Sequence, residues 1–403
     1  MAPGLVLFDD LKARNWEPFA LTRPAGELRF GAMKLVERAE RAFGLECIGY
    51  LTSEHLNDFS EPDACPVLAL DELPDDRDLI LWCSRAVADL DQNLAIPDGP
   101  AAFHVDGQIV GLHVAKGTRP DLAFSDELVF ELNGIPRVDV AGRILEWVWD
   151  LVLETPEQLI RDLASLPGSP ADALPHGAYS IGSHNLILGA DVDIEPGTVF
   201  DTREGPILLG DRVNVKAGTR LAGPAAIGAR SRLLGGSFER ISVGPYSYLH
   251  GEVAETVILG YTNKAHDGFL GHAYLGKWVN LGAMTTNSDL KNNYGPVRVW
   301  TPSGMTDTGH SKVGCFLGDH VKTGIGMLLN TGTVVGAGAN LYGSVMPPGY
   351  VEPFSWGQGD DFTEYRLAKF VDTARAAMAR RGVDLDERGQ RFLEACWRKG
   401  RGG

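Results

Sequence analysis

From Leu209 an aliphatic residue recurs every six positions: Leu209, Val215, Leu221, Ile227, Leu233. The beat returns at Val243 and Leu249, at Leu275 and Leu281, and at Leu317, Thr323, Leu329, Val335 and Leu341. Glycine often follows, as at Gly210, Gly228, Gly276, Gly318 and Gly336. A six-residue step is neither the 3.6 of a helix nor a plain alternation, and it predicts a hexapeptide β-solenoid. Each hexad is one short strand with its aliphatic side chain inward, followed by a turn to the next face. One coil cannot bury its own apolar face, so coils must stack.

The rest of the chain is not solenoid. Its 403 residues are long enough for two or three domains. Residues 5–8 (LVLF), 46–51 (ECIGYL) and 79–84 (LILWCS) read as buried parallel strands. Leu35, Ala39 and Phe43 share one helical face, with Gly44 as C-cap, and Asp106-Gly107 is a hairpin turn. A second helical stretch ends at Pro167-Gly168. The expected organisation is an α/β domain over 1–166, a Pro/Ala/Gly-rich linker over 167–178, a solenoid over 179–348 and a helical tail over 349–403. The tail should cover the open end of the last coil.

Net charge of −16 disfavours nucleic acid and anionic membrane as partners, so cations that hold a phosphate must be local exceptions. No apolar run reaches eighteen residues, the first residues lack the basic start of a signal peptide, and five scattered cysteines form no CxxC pair. These features predict a cytoplasmic protein without disulfides or a zinc site.

Polar residues crowd into 263–300, where the beat holds at Leu275 and Leu281 and then lapses until Val313. This stretch is expected to be an insertion thrown out of the scaffold, a usual place for binding residues. Within it, Lys264-Ala265-His266-Asp267-Gly268-Phe269-Leu270-Gly271 precedes Leu275-Gly276 and Val279-Asn280-Leu281-Gly282-Ala283. This series resembles the KAGH, YLG and VNIGAGT motifs of the bifunctional N-acetylglucosamine-1-phosphate uridylyltransferase/glucosamine-1-phosphate acetyltransferase family. Together with TRPAGELRFG at 22–31 it is most similar to a divergent branch of that family.

The resemblance implies a left-handed parallel β-helix that trimerises and binds acetyl-CoA along its coils. It implies that His266 is the general base, a role that suits imidazole near neutral pH. Asn280 falls on an inward-facing, sugar-contacting asparagine, and Lys264 and Asn287 fall among the substrate-binding positions. Ala283 and Gly343 fall where small residues admit the thioester arm, and Lys291 could meet a phosphate. The chain departs from the family at Phe269, where a tyrosine is usual, and at Ile325, where a CoA-contacting serine is usual. The basic residues that precede the histidine motif are also missing. His272 is a rival base, while Trp278 and Trp300 read as packing residues.

The N-terminal stretch lacks the usual glycine-rich nucleotide loop. By position, Arg23, Arg29 and Lys34 would contact phosphates in a nucleotidyltransferase-like, Rossmann-like domain, or else form salt bridges at a helix start. Asp9 and Asp10 end the first strand, at the edge where open α/β sheets bind ligands. They could hold Mg²⁺, or serve as turn and N-cap residues. The function expected is nucleotidyl transfer from a nucleoside triphosphate to a sugar 1-phosphate, plus acetyl transfer to an amino sugar phosphate. The alternatives are nucleotidyl transfer to a sugar 1-phosphate alone, with the β-helix as trimerisation scaffold, or a non-catalytic sugar-nucleotide binder.

Overall fold

The computed structural model describes residues 2–92, 94–118, 134–165 and 174–402. Most of the proline-rich linker, residues 167–173, lies outside these. The N-terminal sheet contains β1 (Gly4–Phe8), β2 (Cys47–Leu51), β3 (Leu79–Cys83), β4 (Ala101–Val105), β5 (Gln108–Val114) and β6 (Arg137–Asp139), in the order β2-β1-β3-β5-β4-β6. β1 lies parallel to β2 and β3, and β5 runs antiparallel to β3. Residues LVLF are fully enclosed, as a doubly covered strand requires.

Helix α1 (Leu35–Phe43) crosses from β1 to β2, buries Leu35, Val36, Ala39 and Phe43, and ends on Gly44 at φ 62°. The β4–β5 turn has φ 47° at Asp106 and 79° at Gly107, the primed geometry that suits a twisted hairpin. The second crossover carries no α-helix. Between β2 and β3 the chain makes two single 3₁₀ turns, Glu54–Leu56 and Leu70–Glu72, because Pro62, Pro66 and Pro74 interrupt any helical run. A further helix, α2 (Thr155–Ser165), closes this half.

The C-terminal half is a three-sided β-solenoid. Its first face stacks nine parallel strands, from Leu186–Leu188 to Tyr350–Val351. The second runs from Asp193–Ile194 to Ser355–Gln358, and the third from Tyr179–Gly182 to Leu328–Leu329. Leu209, Ile227, Val243, Leu275, Leu317 and Val335 lie inside, all at or near zero exposure. Alternate residues of the first face point outward, yet Val257, Leu259, Tyr274, Phe316 and Val334 are also buried. They share a cluster with Trp16, Phe19, Phe30 and Leu35, so the N-terminal half sits on that face.

The coil continues through Asn287, which pairs with Leu329, so residues 263–287 are scaffold and only 288–312 depart from it. The six-residue beat was hidden there because Lys264 and Asn287 occupy interior positions. The departing segment carries an antiparallel hairpin, Arg298–Thr301 with Gly304–Asp307. Val297 and Val299 pin it to the cluster beneath the N-terminal half. At the far end, Asp361–Glu364 pairs antiparallel with Ser355–Gln358, and helices α3 (Leu367–Ala379) and α4 (Glu387–Gly400) follow. Phe392 of α4 meets Phe59 edge-on at 5.5 Å, so the tail bridges both halves. Among the described residues no helix is long and apolar enough to cross a membrane.

Candidate active site

The polar residues of the histidine motif gather where the second face turns into the third. Lys264 takes the interior position that Leu249 fills in the previous coil and is 1% exposed. Its ammonium donates to the His250 carbonyl at 2.8 Å and the His266 carbonyl at 2.6 Å. Burial pushes its pKa down to about 8. The lysine thus ties the turn that carries His266 to the coil before it.

His266 itself is exposed at the corner, and its ring has no hydrogen-bond partner among the described residues. Next to it, Asp267 accepts from His250 Nε2 at 3.0 Å, while His250 Nδ1 lies 3.0 Å from the Leu234 carbonyl. Gly268 holds φ 128°, and a Cβ there would come within 2.1 Å of the Thr285 carbonyl oxygen. Only glycine makes that turn. His250 went unnoticed in the sequence, although it follows the hexad residue Leu249 one coil before His266.

His272 is placed quite differently. Its Nδ1 lies 2.8 Å from Asp289 and its Nε2 3.1 Å from Glu255, and it is buried. Burial opposes the charged ring, but the two carboxylates outweigh it and raise the pKa to about 9. At neutral pH this imidazole is cationic and cannot accept a proton.

Asn280 points outward rather than inward, because Leu281 holds the interior position. It accepts from the Asn263 amide at 3.0 Å on the second face. The inward asparagine is Asn287, whose amide bonds both the N–H and the carbonyl of Gly271 at 2.9 Å and so belongs to the scaffold. Ala283 and Gly343 lie on the same corner ridge as His266, beside exposed Met284, Ile325 and Tyr342. Lys291 is tethered to the Pro296 carbonyl. Trp300 stacks on Tyr350 with centroids 3.6 Å apart, and Trp278 packs against Tyr261 at 4.3 Å.

The N-terminal residues are already engaged within the protein. Arg23 is 1% exposed and bonds Asp319 at 2.5 Å and Glu61 at 3.0 Å. Arg29 donates to Ser242 at 2.6 Å, and its backbone N–H and carbonyl both bond the Tyr274 hydroxyl. Lys34 pairs with Glu27 at 2.9 Å. Asp10 caps the one-turn helix Leu11–Arg14 and is held by Arg85 at 2.6 Å. Asp9 accepts from the Ala25 N–H and the Thr52 hydroxyl, and its other oxygen is buried without a partner among the described residues. Burial raises the Asp9 pKa, and no group of three His, Cys, Asp or Glu among the described residues could hold a metal.

Comparison with known proteins supports a transferase. Residues 5–169 match the sequence profile of the family described as sugar nucleotidyl transferase. The bifunctional sugar-1-phosphate nucleotidylyltransferase/acetyltransferase of Sulfurisphaera tokodaii is 32% identical over 111 residues, 28% of this chain and 26% of that protein. The chain therefore spans about a quarter of that relative's length. An uncharacterized acetyltransferase of Escherichia coli, YaiX, is 25% identical over 155 residues, 38% of this chain and 67% of its own length. Among solved structures, AntD, an N-acyltransferase from Bacillus cereus, matches at 14% identity and a TM-score of 0.23. That match covers 49% of this chain and 90% of AntD.

Proposed function

We propose that this chain is a sugar-nucleotide transferase whose solenoid moves an acetyl group from acetyl-CoA to an amino sugar phosphate, with His266 as base. The observation that carries this reading is the exposed His266 ring on a turn fixed from behind by buried Lys264. A general base must reach its substrate while its backbone stays still. In the reaction the amine nitrogen attacks the thioester carbonyl, the N–C bond forms and the C–S bond breaks. The amine proton passes to His266 and then to the departing thiolate. Backbone N–H groups of the coil would hold the oxyanion. The ridge of Ala283, Ile325 and Gly343 offers the pantetheine arm a path, and its apolar neighbours suit a homotrimer contact.

In this reading the acceptor is glucosamine 1-phosphate and the cytoplasmic product feeds UDP-N-acetylglucosamine. The N-terminal half would then join a nucleoside triphosphate to the acetylated sugar phosphate. Free-thiol release from acetyl-CoA with glucosamine 1-phosphate tests the acetyl step. His266→Ala is expected to lower the rate by about 10²–10⁴, and an unchanged rate would sink the assignment.

A second reading keeps acetyl transfer alone and makes the N-terminal half a packing partner. The commitment of Arg23, Arg29 and Lys34 to internal bonds favours it. Pyrophosphate release from nucleoside triphosphates and a panel of sugar 1-phosphates separates the two.

A further inference from the structure

A cavity of about 390 Å³ lies between the second face of the solenoid and helix α3 of the tail. That volume suits a small metabolite. In a chain of net charge −16 its lining contains no carboxylate, but it contains Lys322, Arg380 and Arg381. Arg380 makes no ion pair among the described residues. Arg381 lies 3.8 Å over the ring of Tyr248, whose other neighbour is the guanidinium of Arg232 at 5.4 Å. Burial, with Arg380 and Arg232 close by, pushes the Arg381 pKa down. Burial alone brings Lys322 to about 7. Its ammonium is committed to the Trp278 and His320 carbonyls at 2.6 and 3.2 Å, so the unbalanced charge is that of the two arginines, which the roughly half negative charge at the C-terminal end of α3 is too small to offset.

The rest of the lining suits hydroxyl groups. Asn263 and Asn280 form an amide ladder across the floor, and Tyr248 and Tyr261 add phenols. Tyr261 and Trp278 form one wall, the middle of a column of rings at successive corners that begins at Tyr246 and ends at His320, each at φ between 54° and 63°. Centroids along the column are 4.8, 4.3 and 6.2 Å apart, so Tyr261 and Trp278 are each supported by a ring on either side.

We propose that this cavity binds a phosphorylated, hydroxyl-rich small molecule of the sugar phosphate class, with Arg380 and Arg381 of the tail helix clamping its phosphate. These arginines supply the cations that are missing from the coils before the histidine motif. Asn263 precedes His266 by three residues on one coil, roughly 10 Å of extended chain. A sugar lying on the asparagines could therefore extend toward that corner. The last step rests on the acetyl-transfer reading, whereas the binding site does not.

The test uses glucose 1-phosphate, which has no amine to acetylate, with glucose as the neutral control, in titration calorimetry on the full chain. Saturable binding of glucose 1-phosphate but not glucose is expected. Arg380→Glu, on an exposed position, and Asn280→Asp, which places a carboxylate on the floor at constant volume, should each weaken binding at least tenfold. Thermal melts check that both variants remain folded. Absence of saturable binding to the wild type, or equal binding by both variants, would overturn the proposal whatever the thiol-release assay gives.

Discussion

Arg23 and Asp319 stand 296 positions apart in the chain and meet in a sealed seam between the N-terminal half and the solenoid. The same aspartate accepts from the Thr22 hydroxyl at 2.8 Å and, through its other oxygen, from the Lys277 backbone N–H at 2.7 Å. Glu61 closes the network by binding both Arg23 and Lys277. Removing one partner of a buried, hydrogen-bonded pair strands the other charge. Arg23→Ala should therefore cost about 3–5 kcal/mol. Arg23→Lys should recover only part, because an ammonium cannot reproduce the two-carboxylate fork. Urea unfolding measures both. A variant as stable as the wild type, but with a raised KM for nucleoside triphosphate, would return Arg23 to phosphate binding.

Lys264 yields a pH signature. Its pKa is about 8 in the fold against 10.5 for an ordinary lysine, so the unfolded chain binds more protons between those values. Stability therefore rises with pH across that window, and the penalty is fully present below about pH 8. The unfolding free energy of wild type minus that of Lys264→Met should rise by about 3 kcal/mol from pH 8 to 10.5. The subtraction cancels the other lysines and tyrosines. A flat difference would mean that the ammonium is solvated.

These cases mark what the sequence could and could not disclose. The six-residue beat was legible because one aliphatic side chain per strand must face inward, and Gly44 and Asp106-Gly107 were legible because their turns need those residues locally. Arg23 was ambiguous because a buried arginine looks the same whether its acceptor is a phosphate or an aspartate contributed 296 positions later. Asn280 faces outward and Asn287 inward as a matter of register, since a shift of one residue reverses the face. The corner aromatics were opaque, because bulky residues rarely adopt positive φ and nothing local announces it. Lys264 hid the beat itself.

Gly268→Ala tests how tightly the corner sets the histidine. Its Cβ would sit 2.1 Å from the Thr285 carbonyl oxygen, at a φ of 128° that alanine avoids. The expected destabilisation is about 2–4 kcal/mol. A displacement of His266 by even ~1 Å should lower acetyl transfer about 10²-fold. Thermal melts and thiol release at a temperature where the variant is folded measure the two effects separately. Full activity in a folded variant would show that the reacting group lies elsewhere.

His272 separates a structural imidazolium from a catalytic imidazole. Held by Asp289 and Glu255, it has a folded pKa of about 9, above the ordinary 6.5. Its contribution is fully present below pH 6.5 and disappears as the pH rises through 9. Relative to His272→Gln, the wild type should be more stable at pH 6 than at pH 9.5 by about 3 kcal/mol. Losing the cation leaves two carboxylates facing each other, so the variant is also destabilised at neutral pH. Its thiol release should nevertheless persist below the melting temperature, since the exposed His266 keeps its place one turn away. If His272→Gln lost about 10²-fold or more in rate while His266→Ala did not, the proton acceptor would have to be reassigned to His272, in a state where its carboxylates no longer hold it charged.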